Sequence, residues 1–251
     1  MAIQTTSLKS KVDSLEQKAE EYDRRTNTES RVDDAREDLK ELNIVLRKLN
    51  GSLSDFERQA GILTEVFDQS LPSEAVSARD EVQSLTEVTQ DNILDVIDNS
   101  DRSLASHVED VRDARESVND ARRIIDDRLK AIQNDKLGDA STAESIQRIV
   151  GEDSDAMKTI SQYRSFLNSI LDPDGSVSHL KSQWQGLEKA FDNLDTDWEG
   201  FRKRHGLSKG TITDLKKLSR QGEVDLDELS EESVNEMLEV PELRSTIKVS
   251  L

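Results

Sequence analysis

The sequence predicts an all-α, elongated chain. It reads as a long antiparallel coiled-coil-like helical hairpin, followed by a C-terminal helical head with a small two-stranded β element. Three observations carry that expectation. Only three Pro and ten Gly interrupt 251 residues, so long helices meet few breakers. The hydrophobic fraction is 33%, low beside the roughly 45–50% that apolar residues plus Gly reach in globular chains. Amphipathic helices need less, because each commits only a stripe of residues to its partner. Apolar residues also recur at alternating steps of three and four, the spacing of a heptad seam.

Residues 1–137 are read as the arm. It opens with Leu8, Val12, Leu15, Ala19, Tyr22 and Thr26, and its phase breaks between Thr26 and Ser30. It resumes as Val32, Ala35, Leu39, Leu42, Leu46, Leu49, Leu53, Phe56, Ala60, Leu63 and Phe67. Within this run Leu39, Leu42, Leu46, Leu49, Leu53, Phe56 and Leu63 are the expected coiled-coil seam. Pro72 cannot continue a helix from the turn before it and is acceptable in the first turn of the next, which places a turn at 70–73. The returning arm carries Val82, Leu85, Thr89, Ile93, Val96, Ser100 and Leu104 in an eleven-residue period, which favours straight packing. Heptad spacing returns at Val111, Ala114, Val118, Ala121 and Ile125, and Gly138 with Asp139 is expected to end the helix. Each arm would span roughly 95 Å at about 1.5 Å per residue, and equal arms around a breaker predict a hairpin.

Residues 138–206 are the aromatic-rich head, since six of the nine aromatics lie from Tyr163 to Phe201. One helix is expected to carry Ile146, Ile149, Ile160, Tyr163, Leu167 and Ile170. After the turn signal Asp172–Gly175, a second carries Val177, Leu180, Trp184, Leu187, Phe191, Leu194, Trp198 and Phe201. An aromatic stripe at helical spacing is core, because these side chains bury large areas. Residues 207–251 read as a small α+β tail. A short helix with Ile212, Leu215 and Leu218 is opened by Ser208 or Thr211 and closed near Gly222. Val224 and Leu226 are expected to pair with Ile247, Val249 and Leu251 as a ribbon. Between them Ser230 caps a helix whose apolar face is Val234, Met237 and Leu238.

Few chemistries survive a search of the residues. There is no Cys, and His107, His179 and His205 are too far apart in sequence to read as a ligand pair. The glycines around Lys209 lack the spacing of a phosphate loop. Asp195, Asp197, Glu199 and Gly200 match the start of a calcium loop, but Gly206 stands where its final bidentate acid belongs. Arg202, Lys203 and Arg204 would repel the ion. No catalytic, cofactor or metal site is expected, and the chain is not read as an enzyme. No apolar run approaches the ~18–20 residues of a membrane span. The N-terminus lacks the apolar block of a secretory signal. The expected location is therefore the cytoplasm.

Charge is the remaining signal. The formal net charge is -19, and Asp outnumbers Glu 29 to 24 although Glu is the better helix former. Adaptation to high salt explains that preference, because screening relieves the repulsion. Against this background Arg202, Lys203, Arg204, Lys209, Lys216, Lys217 and Arg220 concentrate positive charge, with Asp214 the one acid among them. They are the candidate contacts for a polyanion or an acidic partner. From Glu223 to Glu242 nine acids follow without a cation. The basic segment is therefore expected to fold against the acidic tail or the acidic arms.

The function these features point to is a non-enzymatic coiled-coil interaction or scaffold protein, a subunit of a larger assembly in a salt-adapted cytoplasm. The arm would take a protein partner or a second copy. Nucleic acid bound through 202–220 is the second choice, and an accessory subunit of an ATPase or nuclease complex the third. The salt reading predicts a thermal midpoint that rises between low and molar potassium chloride, followed by circular dichroism. An unchanged midpoint counts against it.

Overall fold

Helix dominates the chain because little in the sequence opposes it. The computed structural model describes residues 2–85, 104–151, 153–172 and 175–244, with the side chains of its first helix described from 17 on, apart from 19 and 25–31. Among the described residues nine α-helices follow in order: α1 Ala2–Gly61, α2 Ser73–Ser84, α3 Leu104–Val150, α4 Ser154–Ser169, α5 Val177–Phe191, α6 Trp198–His205, α7 Lys209–Gln221, α8 Glu231–Glu239 and α9 Pro241–Arg244. No strand occurs among the described residues. The expected ribbon loses its first half, because Leu226 opens a 3-10 turn to Glu228 and is 53% exposed. A residue in a solvated turn offers no ladder to pair with. Ile247, Val249 and Leu251 lie outside the described residues, as do Thr89, Ile93, Val96 and Ser100 of the expected eleven-residue period and the side chains of Leu8, Val12 and Leu15. No helix among the described residues is long and apolar enough to cross a membrane.

Contacts divide the chain into two units. The first comprises Met1–Phe56 and Ser73–Ala121, the second Glu57–Pro72 and Arg122–Leu251. These limits cut through the expected arm rather than following it.

In the first unit α1 buries Leu42, Val45, Leu49 and Phe56, while α3 buries Leu104, Val108, Val111, Ala114, Val118 and Ala121. Leu39 and Leu53 of the expected seam are half-buried, and Leu46 is 44% exposed while Val45 is 6%. The stretch from Leu42 to Leu49 has apolar residues on both sides of its central line. Steps of three then four pass through Val45 and steps of four then three through Leu46, and the buried side chain is Val45. Glu41 pairs with Arg112.

The second unit shows that the arm is not a plain two-helix hairpin. A hairpin closing at Pro72 sets Ser70 beside the residues just after the turn. Its carbonyl instead accepts from Arg128, 58 residues away. Nor does α3 stop at Gly138 and Asp139; it continues to Val150. Ala140, Ala143, Ile146 and Ile149 carry its buried row onward. One glycine in a helix costs about 1 kcal/mol, less than burying those side chains returns.

Two cores build this unit. In the first, α1 ends in a π turn, Ile62–Val66, whose Ile62, Leu63 and Val66 are buried. A Cβ on Gly61 would lie 3.1 Å from Val177 Cγ2, so a larger residue there would press on the start of α5. Phe67 meets Trp184 edge-on at 5.2 Å, Tyr163 stacks on Phe191 at 3.9 Å, and Phe166 stacks on Trp184 at 5.4 Å. Lys136 covers the Trp184 ring at 4.9 Å. The second core joins Ile146 and Ile149 of α3 to Phe201, Leu207, Ile212, Leu215, Met237, Val240 and Leu243, with Trp198 packed against them.

The single helix expected from Val177 to Phe201 is two. It ends at Phe191, where Asn193 Nδ2 donates to the Lys189 carbonyl, and Asp197 caps a new start by accepting from Gly200 N–H at 2.6 Å. The break sends Trp184 and Phe191 to one core and Trp198 and Phe201 to the other. The same happens near Gly151, after which Asp153 caps α4 by accepting from Asp155 N–H.

The burial pattern predicts that Leu49→Ala costs about 2–5 kcal/mol of stability, while Leu46→Ala, measured at concentrations dilute enough to keep the chain monomeric, costs under about 1 kcal/mol because its site is solvated in the single chain. Urea unfolding of both variants checks the ranking, and equal midpoints would contradict the assigned face.

Candidate functional site

The seven cations from 202 to 220 occupy α6, α7 and the connection between them. α6 places Arg202, Lys203 and Arg204 in its last turn, where cations also favour the helix dipole. Arg202 holds Glu199 by a two-pronged contact, Nε to Oε2 at 2.9 Å and Nη2 to Oε1 at 2.7 Å. Those hydrogen bonds hold the Glu199 carboxyl down to about 2. Lys203 shares the same acid at 3.6 Å, and Arg204 forks onto Asp195 at 2.8 and 3.0 Å. The acids that match the start of a calcium loop are therefore taken: Asp195 and Glu199 by cations, Asp197 by its helix cap.

Of the cations on α7, Lys217 pairs with Glu228 and Lys216 lies over the Trp198 ring at 5.8 Å. Lys209, Lys216 and Arg220 have no carboxylate partner among the described residues. The expected neutralisation thus comes chiefly from upstream, where helical spacings of three and four set Glu199 beside Arg202 and Lys203. Glu228 is the acidic tail's single ion-pair partner for this segment among the described residues. Exposed pairs of this kind contribute about 0–1 kcal/mol each.

What joins α7 to α8 is a capping network. Ser208 caps α7 by accepting from Thr211 N–H at 3.2 Å, and Ser230 caps α8 by accepting from Ser233 N–H at 3.0 Å. The Glu236 carboxylate of α8 accepts from Ser208 N–H at 2.7 Å and from the Thr211 hydroxyl. In return the Asp214 carboxylate of α7 accepts from Ser230 N–H at 3.4 Å. The hydroxyls of Thr211 and Ser233, both buried, meet at 3.4 Å. Each helix start is closed by its own serine and by an acid from the other helix, which satisfies donors a helix leaves open.

Sequence reasoning found Ser230, and Ser208 or Thr211 for the other helix, of which Ser208 is the cap, but missed the acids. The signal was present: Ser208, Thr211 and Asp214 repeat the spacing of Ser230, Ser233 and Glu236, 22 residues apart. Ile212 and Leu215 likewise match Val234 and Met237. The hydroxyls and acids of this cluster close two helix starts. The Ser208 backbone N–H, then the Thr211 hydroxyl, hold the Glu236 carboxyl below its ordinary range, and a carboxylate so stabilised is a poor base. Among the described residues no group of three or more His, Asp or Glu is placed to hold a metal ion.

No family model, curated protein or solved structure matches the chain.

Glu236→Ala should lower stability by about 1–3 kcal/mol near neutral pH, since the Ser208 N–H and the Thr211 hydroxyl lose a charged acceptor. The folded-state carboxyl is depressed, so its contribution is present above the unfolded value and is lost as pH falls through the folded one. Denaturation of wild type and variant from pH 7 to pH 3 should show the difference closing toward the acid end.

Proposed function

We propose that the chain is a non-enzymatic helical interaction protein that associates through α1, with α1 of a second copy as the partner. The observation behind this reading is an uncovered apolar row. Val32 is 48% exposed and Leu46 44%, with Leu39 and Leu53 half-buried on the same seven-residue spacing. A seven-residue repeat is the period that keeps two helices in register as they supercoil, and this chain carries one that its own buried face leaves over. Two copies meeting along such a row form an isologous contact, the commonest closed assembly of soluble proteins. This is the coiled-coil part of the expected architecture, moved from inside one chain to between two. The scaffold role, in an assembly within a salt-adapted cytoplasm, extends the same reading.

The nucleic-acid alternative draws less support. Four of the seven cations are held by acids, which leaves Lys209, Lys216 and Arg220. A polymer backbone needs a track of free cations.

Sedimentation equilibrium tests the association. Wild type and a Lys40→Glu control are expected to dimerise with rising concentration, and Leu46→Glu to remain monomeric. A wild type that stays monomeric in both low and molar salt overturns it.

A further inference from the structure

In a chain with 53 acids and 34 Lys and Arg, an open groove of about 480 Å³ between α3 and α7 is lined by two cations and no acid. Lys216 and Arg220 stand one helical turn apart on the same face of α7, the i, i+4 spacing that brings side chains together. Neither has a carboxylate partner among the described residues. The Trp198 ring lines the groove beside Lys216, whose Nζ lies 5.8 Å from its centroid.

The facing wall is α3. Its Ser141, Thr142 and Ser145 line the groove, together with Ser219 from α7. Thr142 and Ser145 donate to the carbonyls of Gly138 and Ser141, and Ser219 donates to that of Lys216. The Ser141 hydroxyl has no partner among the described residues. Gly138 completes the wall. A glycine inside a helix of 47 residues is unfavourable, and no neighbour lies within 4 Å of where its Cβ would stand. Packing does not explain it, and the space it leaves open is the groove.

We propose that this groove binds a small ligand through a multiply charged phosphate group. Arg220 offers a planar fork that matches two phosphate oxygens, and Lys216 offers a compact point charge. The hydroxyl of Ser141 donates to a third oxygen from the opposite wall. The volume exceeds that of a single phosphate and lies within the range of sites for small organic ligands, so pyrophosphate or a nucleoside phosphate is the matching size. A nucleic-acid strand fits less well. Beyond Arg220 the chain is acidic from Glu223 to Glu242, which repels a continuing phosphate backbone. This site is independent of association through α1.

Isothermal titration of the full chain tests it, with inorganic pyrophosphate, with ATP in the absence of divalent cations, and with a single-stranded oligonucleotide. Pyrophosphate and ATP should bind saturably at one site. The double variant Lys216→Gln with Arg220→Gln should bind at least about tenfold more weakly, because removing even one charge-assisted hydrogen bond is worth that factor. Gly138→Leu should reduce binding similarly, by filling the groove without touching a charge. Lys209→Gln, which removes an unpaired cation outside the groove lining, should match wild type, and circular dichroism should show all variants folded. Absence of saturable heat up to about 10 mM pyrophosphate, far weaker than a useful site, overturns the proposal. So does binding that the double variant and Gly138→Leu both retain. Oligonucleotide binding that pyrophosphate does not displace also overturns it, assigning the cations to a polymer.

Discussion

The buried row of α3 is the constraint on which the described packing depends. One helix supplies Leu104, Val108, Val111, Ala114, Val118 and Ala121 to the first unit and Ile125, Leu129, Ala140, Ala143, Ile146 and Ile149 to the second. Four of these are alanines with 1% exposure or less. A small side chain at a buried helix position lets neighbouring elements come near the helix axis, so packing is dense where apolar volume is scarce. That is how a chain with 33% hydrophobic residues packs its buried rows closely.

Charge has a different job. The ion pairs along α6 and α7 lie at the surface, where each contributes little to stability. Their effect is to fix which cations remain available. Asp195 and Glu199 take the cations of α6, Glu228 takes Lys217, and the remaining positive charge is left on one face of α7. Burial and capping hold the tail, while the pairs sort its surface.

Much of the local structure was legible because single residues dictate it. Pro72 placed the first turn, Ser230 placed one helix start and Ser208 or Thr211 another, and Gly222 placed a helix end. What was not legible depended on comparing weak local signals with distant contacts. Gly138 reads as a stop until the row Ala140, Ala143, Ile146 and Ile149 is known to be buried. Leu46 and Val45 each continue steps of three and four, and the partner surface chooses between them. The apolar spacing from Val177 to Phe201 hid a break, because Leu194, Trp198 and Phe201 continue the period while Asp197 caps a new helix. The reciprocal acids Asp214 and Glu236 escaped because each serves a helix that is not its own, and propensity is read one helix at a time. Of the candidate contacts, Arg202, Lys203, Arg204 and Lys217 carry partners that spacing alone foretells only for the first two, at three and four residues from Glu199.

The crossed caps of α7 and α8 also bear on how the tail comes apart. Uncoiling the first turn of α7 withdraws Ser208 and Thr211 from Glu236, and fraying of α8 withdraws Ser230 from Asp214. Neither helix start can open without leaving a charged acceptor on the other without its donors. The two helices therefore behave as one opening unit, of the kind amide exchange resolves as a single foldon, and their first-turn amides exchange in step rather than helix by helix.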